Sequence, residues 1–450
     1  MSDPQRLGGY DILARLKSGG MATLYLAERS GPAGFRKQVA VKVLKAHLAS
    51  QPRFIEMLID EARIAARISH PNVVHIEELG KDADQYFLVM EYLHGAALSE
   101  LLQELASRRL RLAPAMSAAI AMACASGLHA AHETRDDNRR LLDVVHRDVS
   151  PQNILVGARG DVKLIDFGIA KARDRLHVTD AGSGVKGKLR YMAPEQLLGG
   201  PVDRRVDIYA LGVVLWEMLA MRRLFQGQTD SEVIARITDG GLPPPGAFAE
   251  VPFALDGVVL QCLASEPRQR PQTARLMRQM LKEAVPEAAA IERGDVAGLL
   301  WALLGHKMLE RAENLPGVAA TLQAIELDTS PAKALARFTE PLEAALHDAD
   351  TNVMIGDAPG EATEVSAGSL GLPPPLAPPG PVSMASPPEP SPSFAPGPPP
   401  PSEPSGKSRW VGAALIVLLA LLVGAALAFL VLELWPGQSG DAPAVQTLPP

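Results

Sequence analysis

The stretch from 144 to 156 reads VVHRDVSPQNILV, and it is followed by VKLIDFGIAK at 162–171 and RYMAPEQ at 190–196. Towards the N-terminus, alternating apolar residues from Tyr10 flank LKSGGMATLYLAE; QVAVKVLK then predicts a β-strand and PRFIEMLIDEARIAARI a helix. On that helix Phe54, Met57, Leu58, Ile64, Ala65 and Ile68 share one face, while Glu56, Asp60, Arg63 and Arg67 share the other. Glu61 interrupts the apolar face. A carboxylate that faces inward is costly unless it is paired. Lys42 is the candidate partner, because the alternation of Val39 and Val41 leaves it on the opposite face of its strand from those two.

Taken in order, these segments resemble the Hanks-type protein kinases, the family shared by eukaryotic and bacterial Ser/Thr kinases, over about residues 10–284. The resemblance implies an α+β, two-lobed protein kinase fold with a small β-rich N-lobe and a larger helical C-lobe. It implies a Ser/Thr kinase that takes ATP with Mg²⁺ or Mn²⁺ and acts on protein substrates. Residue by residue, Lys42 would hold the α and β phosphates and be positioned by Glu61, Asn153 and Asp166 would bind the metal ions, and Asp148 would orient the attacking hydroxyl. The loop Lys17, Ser18, Gly19, Gly20, Met21 and Ala22 would cover the nucleotide, with Leu24 and Ala40 also at its site. Met90 would guard the back of the adenine pocket, and Glu91, Tyr92 and Leu93 would form the hinge. Glu195 would pair with Arg270, and Asp207 would anchor the catalytic loop; these two hold the fold. Arg147 would receive a phosphate placed on the activation loop, where Thr179 and Ser183 are the only Ser or Thr hydroxyls.

Two departures stand out. Lys17 occupies the position of the first glycine of the nucleotide loop and Ala22 that of the third, and a glycine at the first would ease the turn above the nucleotide. Ser150 stands where the catalytic loop normally has lysine, and Lys188, after Gly187, stands where threonine is usual. In the family these positions face each other, so the chain has exchanged a lysine and hydroxyl pair for a hydroxyl and lysine pair. Both Ser150 and Lys188 are therefore counted with the catalytic residues.

At 450 residues the chain exceeds what one hydrophobic core usually organises, and 17 of its 39 prolines fall between Pro359 and Pro404. Cys124 and Cys262, the only cysteines, exclude a disulfide scaffold or a four-thiolate zinc site. Residues 338–406 carry nine acidic and no basic side chains, so of the net charge of -7 the first 337 residues hold +2, which gives no case for nucleic-acid binding. Residues 285–350 predict a helical extension, with Ala297, Leu300, Trp301, Leu304 and Met308 at helical spacing and no assigned chemistry. Residues 351–409 predict an acidic, then proline-rich disordered juxtamembrane linker, whose proline-rich stretch 373–401 can hold neither helix nor sheet.

Trp410–Leu432 is a run of 23 uncharged residues, ~35 Å as a helix, enough to cross a bilayer core. Lys407 and Arg409 precede it and no Lys or Arg follows, which places the kinase domain in the cytoplasm and residues 433–450 outside, on a single-pass inner-membrane protein in contact with lipid. The N-terminal residues lack the apolar stretch of a signal peptide. Ala420, Gly424 and Ala428 form a smooth face on which two spans could pair as a homodimer. The rival reading is a pseudokinase, a nucleotide-binding or scaffolding module without transfer. Against it, Lys42, Glu61, Asp148, Asn153 and Asp166 are all present.

Overall fold

Strands β1 (Arg6–Leu7), β2 (Tyr10–Ser18), β3 (Ala22–Ser30), β4 (Arg36–Leu44), β5 (Ile76–Asp82) and β6 (Gln85–Glu91) form an antiparallel sheet in the order β1-β2-β3-β4-β6-β5. The computed structural model describes residues 4–167 and 189–342, apart from Ser50, Asp84 and Gln228, and all of these lie in one compact unit. Alternation along β4 explains the layering. Val39, Val41 and Val43 pack with Tyr10, Tyr25, Phe87 and Val89 on one face, while Ala40 and Leu44 meet Leu58, Ala62 and Met90 on the other. Between β4 and β5 lie α1 (Ala46–Ala49) and α2 (Pro52–Ala65). The apolar stripe of α2 covers that second face, and Glu61 is buried within it. Ile68 lies beyond the end of α2, yet it is buried with Val73, Ala131, Val144 and Phe167. β1 extends the sheet upstream of Tyr10, so the folded unit begins earlier than the motifs alone indicate.

The second lobe is built from β7 (Gly95–Ala97), α3 (Leu98–Ser107), β8 (Leu110–Leu112), α4 (Pro114–His132), β9 (Ile154–Gly157), β10 (Val162–Leu164), α5 (Pro194–Leu197), α6 (Arg205–Ala220), α7 (Asp230–Asp239), α8 (Phe253–Cys262) and α9 (Ala274–Ala284). β10, β9 and β7 form a small antiparallel sheet beneath the first lobe. α4 is long and apolar enough to cross a membrane, but Ala118, Ile120, Ala121, Ala125 and Leu128 are fully buried against the rest of the lobe, α6 and α9 included. Every residue of α6 from Val206 to Ala220 is buried, so this helix is the axis of the lobe. Cys124 and Cys262 are buried free thiols, pushed up to about 12 by that burial.

The helical extension is folded onto this lobe. It comprises α10 (Arg293–Glu313), α11 (Val318–Gln323), α12 (Pro331–Phe338) and a strand that helical periodicity did not announce, β11 (Thr339–Pro341), antiparallel to β8. Leu299, Leu300, Leu303 and Leu304 of α10 are fully buried in the main core. Trp301 donates its Nε1 proton to Ala158 O at 3.0 Å. Gly160, at φ +80°, lets the β9–β10 turn pass so close to α10 that a Cβ would sit 1.8 Å from Arg293 O. Residues 343–350, the proline-rich stretch, the apolar run 410–432 and the tail after it lie outside the described residues.

Candidate functional site

Strand parity turns Lys42 of β4 towards α2, and the structure sets its Nζ 3.0 Å from Glu61 Oε1 and 3.0 Å from Asp166 Oδ1. Burial alone would lower the pKa of the ammonium, but Asp166 and Glu61 outweigh it and hold Lys42 well above its ordinary value. For Glu61, burial raises the carboxyl and the charge of Asp166 adds to the rise, while Lys42 opposes both. Two carboxylates thus share one ammonium, so the trio carries one more formal negative charge than positive.

The catalytic-loop residues are placed from below. Asp207 at the start of α6 accepts hydrogen bonds from the backbone N–H of His146 at 2.8 Å, the backbone N–H of Arg147 at 2.7 Å and His132 Nε2 at 2.8 Å. Burial would raise Asp207, yet His132 and these donors hold it below the usual carboxylate range. This grip keeps Arg147 at φ +64°, a left-handed conformation costly for a residue with a Cβ. His146 Nε2 lies 3.1 Å from Ile165 O, so it must donate; Nδ1 then accepts from the Asp148 amide at 3.3 Å. Burial pushes His146 down and favours this neutral tautomer. Its ring also packs on Phe167, with centroids 4.5 Å apart.

Asn153, just before β9, donates Nδ2 to both Asp148 O and Asp148 Oδ2 at 2.8 Å, which fixes the rotation of that carboxylate and leaves the amide Oδ1 as an oxygen donor. Asp166 follows β10 with φ +56°, and Ile165 N bonds to Asn153 O at 3.0 Å, so the two candidate metal ligands are joined through the backbone. Two oxygen donors beside excess negative charge suit Mg²⁺ or Mn²⁺, hard cations that take their remaining ligands from phosphate and water.

Above this floor, the candidate nucleotide loop is the turn between β2 and β3, closed by Gly19 N to Ala22 O at 2.9 Å. Ser18, Gly20 and Met21 sit in or beside the turn, with Leu24 and Ala40 on the neighbouring strands. Lys17 differs from expectation: it is a strand residue opposite Leu24 and has no positive φ, so the backbone makes no demand for glycine there. Met90 is buried at the end of β6 opposite Ala40, and Leu93 follows in the hinge, packed near Gly157. The Glu91 side chain serves structure, accepting from the His75 amide and Lys163 Nζ, both at 2.7 Å.

Ser150 is buried, and its hydroxyl has no partner among the described residues. Lys188, Gly187, Thr179 and Ser183 lie outside the described residues. Glu195 meets Arg270 through two bonds, 2.6 and 2.8 Å. Two features were missed by sequence reasoning. One is a buried network in which Tyr191 donates to Glu217 at 2.8 Å and Arg223 reaches Tyr191 at 2.6 Å. The other is the bidentate pair of Arg67, just after α2, with Asp137 at 2.9 and 3.1 Å. Neither has a local motif to announce it.

Residues 10–283 match the family described as the protein kinase domain. The chain is 42% identical over 285 residues to tyrosine-protein kinase MasK of Myxococcus xanthus, covering 63% of this chain and 44% of that protein. It is 34% identical over 278 residues to serine/threonine-protein kinase PrkC of Bacillus subtilis, covering 62% and 40%. Over 283 residues it is 34% identical to serine/threonine-protein kinase PknL of Mycobacterium bovis, covering 63% and 67%. The chain thus spans less than half the length of the first two of these relatives.

Proposed function

The chain belongs to the protein kinase domain family, and from that premise we propose that it transfers the γ-phosphate of ATP to serine and threonine hydroxyls of proteins at the cytoplasmic face of a membrane. The observation that carries the reading is the pair of contacts that Lys42 makes, with Glu61 and with Asp166, beside Asp148 held by Asn153. A scaffold without transfer has no use for both of these paired arrangements.

Phosphoryl transfer needs positioning and charge neutralisation more than covalent help. Lys42 holds the α and β phosphates, and Glu61 keeps its ammonium aimed at them. Asp148 accepts the proton of the attacking hydroxyl, its rotation fixed by Asn153 Nδ2. Asn153 and Asp166 would hold Mg²⁺ or Mn²⁺, which when bound neutralises charge on the phosphate oxygens. Adenine would bond to the backbone at Glu91 and Leu93 in front of Met90. Labelled ATP with Mg²⁺ tests this directly. Label on serine or threonine is expected, label on tyrosine alone would transfer the relative MasK's named specificity to this chain, and no label would favour the pseudokinase.

The buried hydroxyl of Ser150 supports the exchanged pair, in which Lys188 supplies the charge that the catalytic loop lacks. Lys188→Ala should lower kcat with little change in nucleotide affinity. Ser150→Lys with Lys188→Thr should recover more activity than the sum of the single variants predicts, and strict additivity would dissolve the pair.

The apolar run 410–432 supports membrane attachment, and the smooth face at Ala420, Gly424 and Ala428 supports a dimer in which one copy phosphorylates Thr179 or Ser183 of the other. Gly424→Leu should reduce both crosslinked dimer in membranes and phosphate on those two residues. An unchanged dimer fraction disposes of that interface.

A further inference from the structure

The C-terminal extension touches both lobes on the hinge side. α10 is fastened to the second lobe by Trp301 to Ala158 O, by Arg108 donating to Ala302 O at 3.1 Å and Leu303 O at 2.8 Å, and by Lys307 to Glu104 at 2.6 Å. Arg311 adds a pair with Glu100 at 2.5 Å. These partners lie on α3, on the segment just after it and next to β9, which follow the hinge and floor the nucleotide cleft. The turn after α10 is held down by buried Val318 and by Leu315, which packs on the main core. From this anchored turn Pro316 offers its carbonyl to Gln38 Nε2 of the first lobe at 2.9 Å. Gln38 lies on β4, the strand of Lys42, and the next residue, Val39, pairs with Glu91 where β6 enters the hinge.

We propose that the turn 315–317 and Gln38 form a brace that holds β4 against the second lobe and so limits opening of the nucleotide cleft. The position of the contact gives it this leverage. α10 cannot follow β4 outward, because its body is tied to the second lobe at four side chains, so separation of the lobes must break the Gln38 bond. Lobe separation is the motion by which a nucleotide leaves a closed cleft. Gln38 is then a positioning residue for nucleotide retention. The proposal rests on the nucleotide-binding half of the reading above and is independent of phosphate transfer.

Stopped-flow release of a fluorescent N-methylanthraniloyl ADP with Mg²⁺ from the 450-residue chain in detergent reads the brace without any chemistry. Gln38→Met keeps the length of the side chain and loses the donor, and should speed release by about 2- to 10-fold. Gln38→Lys keeps a donor within reach and should restore slow release. Gly317→Ala approaches from the other side: at φ +75° its Cβ would sit 3.0 Å from Gln38 Nε2, so it should speed release as Gln38→Met does. If both act through one contact, the double variant should release no faster than the faster single. Equal release rates for wild type and Gln38→Met, or full additivity of the two substitutions, would overturn the brace while leaving the nucleotide site intact. A wild-type chain that binds no labelled ADP would overturn the nucleotide site and the brace together.

Discussion

Lys42→Met is expected to reduce autophosphorylation about 10³-fold, and Asp166→Asn and Asp148→Asn should act on the same scale. Lys42 bridges Glu61 and Asp166, each at 3.0 Å. Methionine fills the volume but withdraws the charge, so two carboxylates are left facing each other with no ammonium between them. Glu61, already raised by burial, would be raised further without the opposing ammonium, and Asp166 would lose its contact with Lys42. The loss is therefore larger than that of one phosphate contact. Glu61→Gln should cost less, since the amide oxygen can still accept from Lys42. Initial rates of label transfer, with melting curves to show that each variant is folded, give the comparison. Near wild-type transfer by Lys42→Met would remove it from the phosphate site.

The pairing of Lys42 with Glu61 was legible because each residue broke a local pattern. A carboxylate in an apolar stripe and a lysine of known strand parity leave few alternatives. Asp207 was legible for a similar reason, being an acid at the start of a helix buried on all sides. Lys17 shows the opposite case. Its position was referred to a turn, whereas an irregular register between Arg15 and Lys17 keeps it on β2, and such irregularities leave no periodic trace. The extension divides the two situations. Helical spacing over Ala297, Leu300, Trp301, Leu304 and Met308 identifies a buried face of α10, but periodicity does not say what covers that face. Besides the nearby α11 and α12, α10 packs on β7, β9 and α3, roughly 140 to 210 residues away, and β11 finds β8 across a comparable separation. The close approach at Gly160 depends on a backbone conformation open to glycine, which a lone glycine in a turn does not distinguish from ordinary turn chemistry.

Ending the chain at Ala284, the last residue of α9 and one past the end of the family match, should therefore cost most of the stability of the remaining fold, whereas ending it at Leu342 should leave the fold unchanged. The first truncation strips Leu299, Leu300, Leu303, Leu304 and Met308 from the main core. At about 1.5–3 kcal/mol for each fully buried side chain, the gross loss is on the order of 10 kcal/mol, comparable with the whole stability of a typical domain. Some of this is offset, because the residues removed no longer pay their own ordering entropy. Polar losses act the other way. Glu104 is buried and held below its ordinary range by Lys307 and Arg108 against the rise that burial would cause, and it would keep only Arg108. A net loss of about 5 kcal/mol corresponds to a fall in Tm of roughly 10–20 °C for a unit of this size. Calorimetry on the two truncated chains measures the difference, with insolubility of the shorter one counting as the stronger form of the same outcome. If the chain ended at Ala284 melts within a few degrees of the one ended at Leu342, α10 is a passenger on the C-lobe, and its leucines contribute far less than their burial implies.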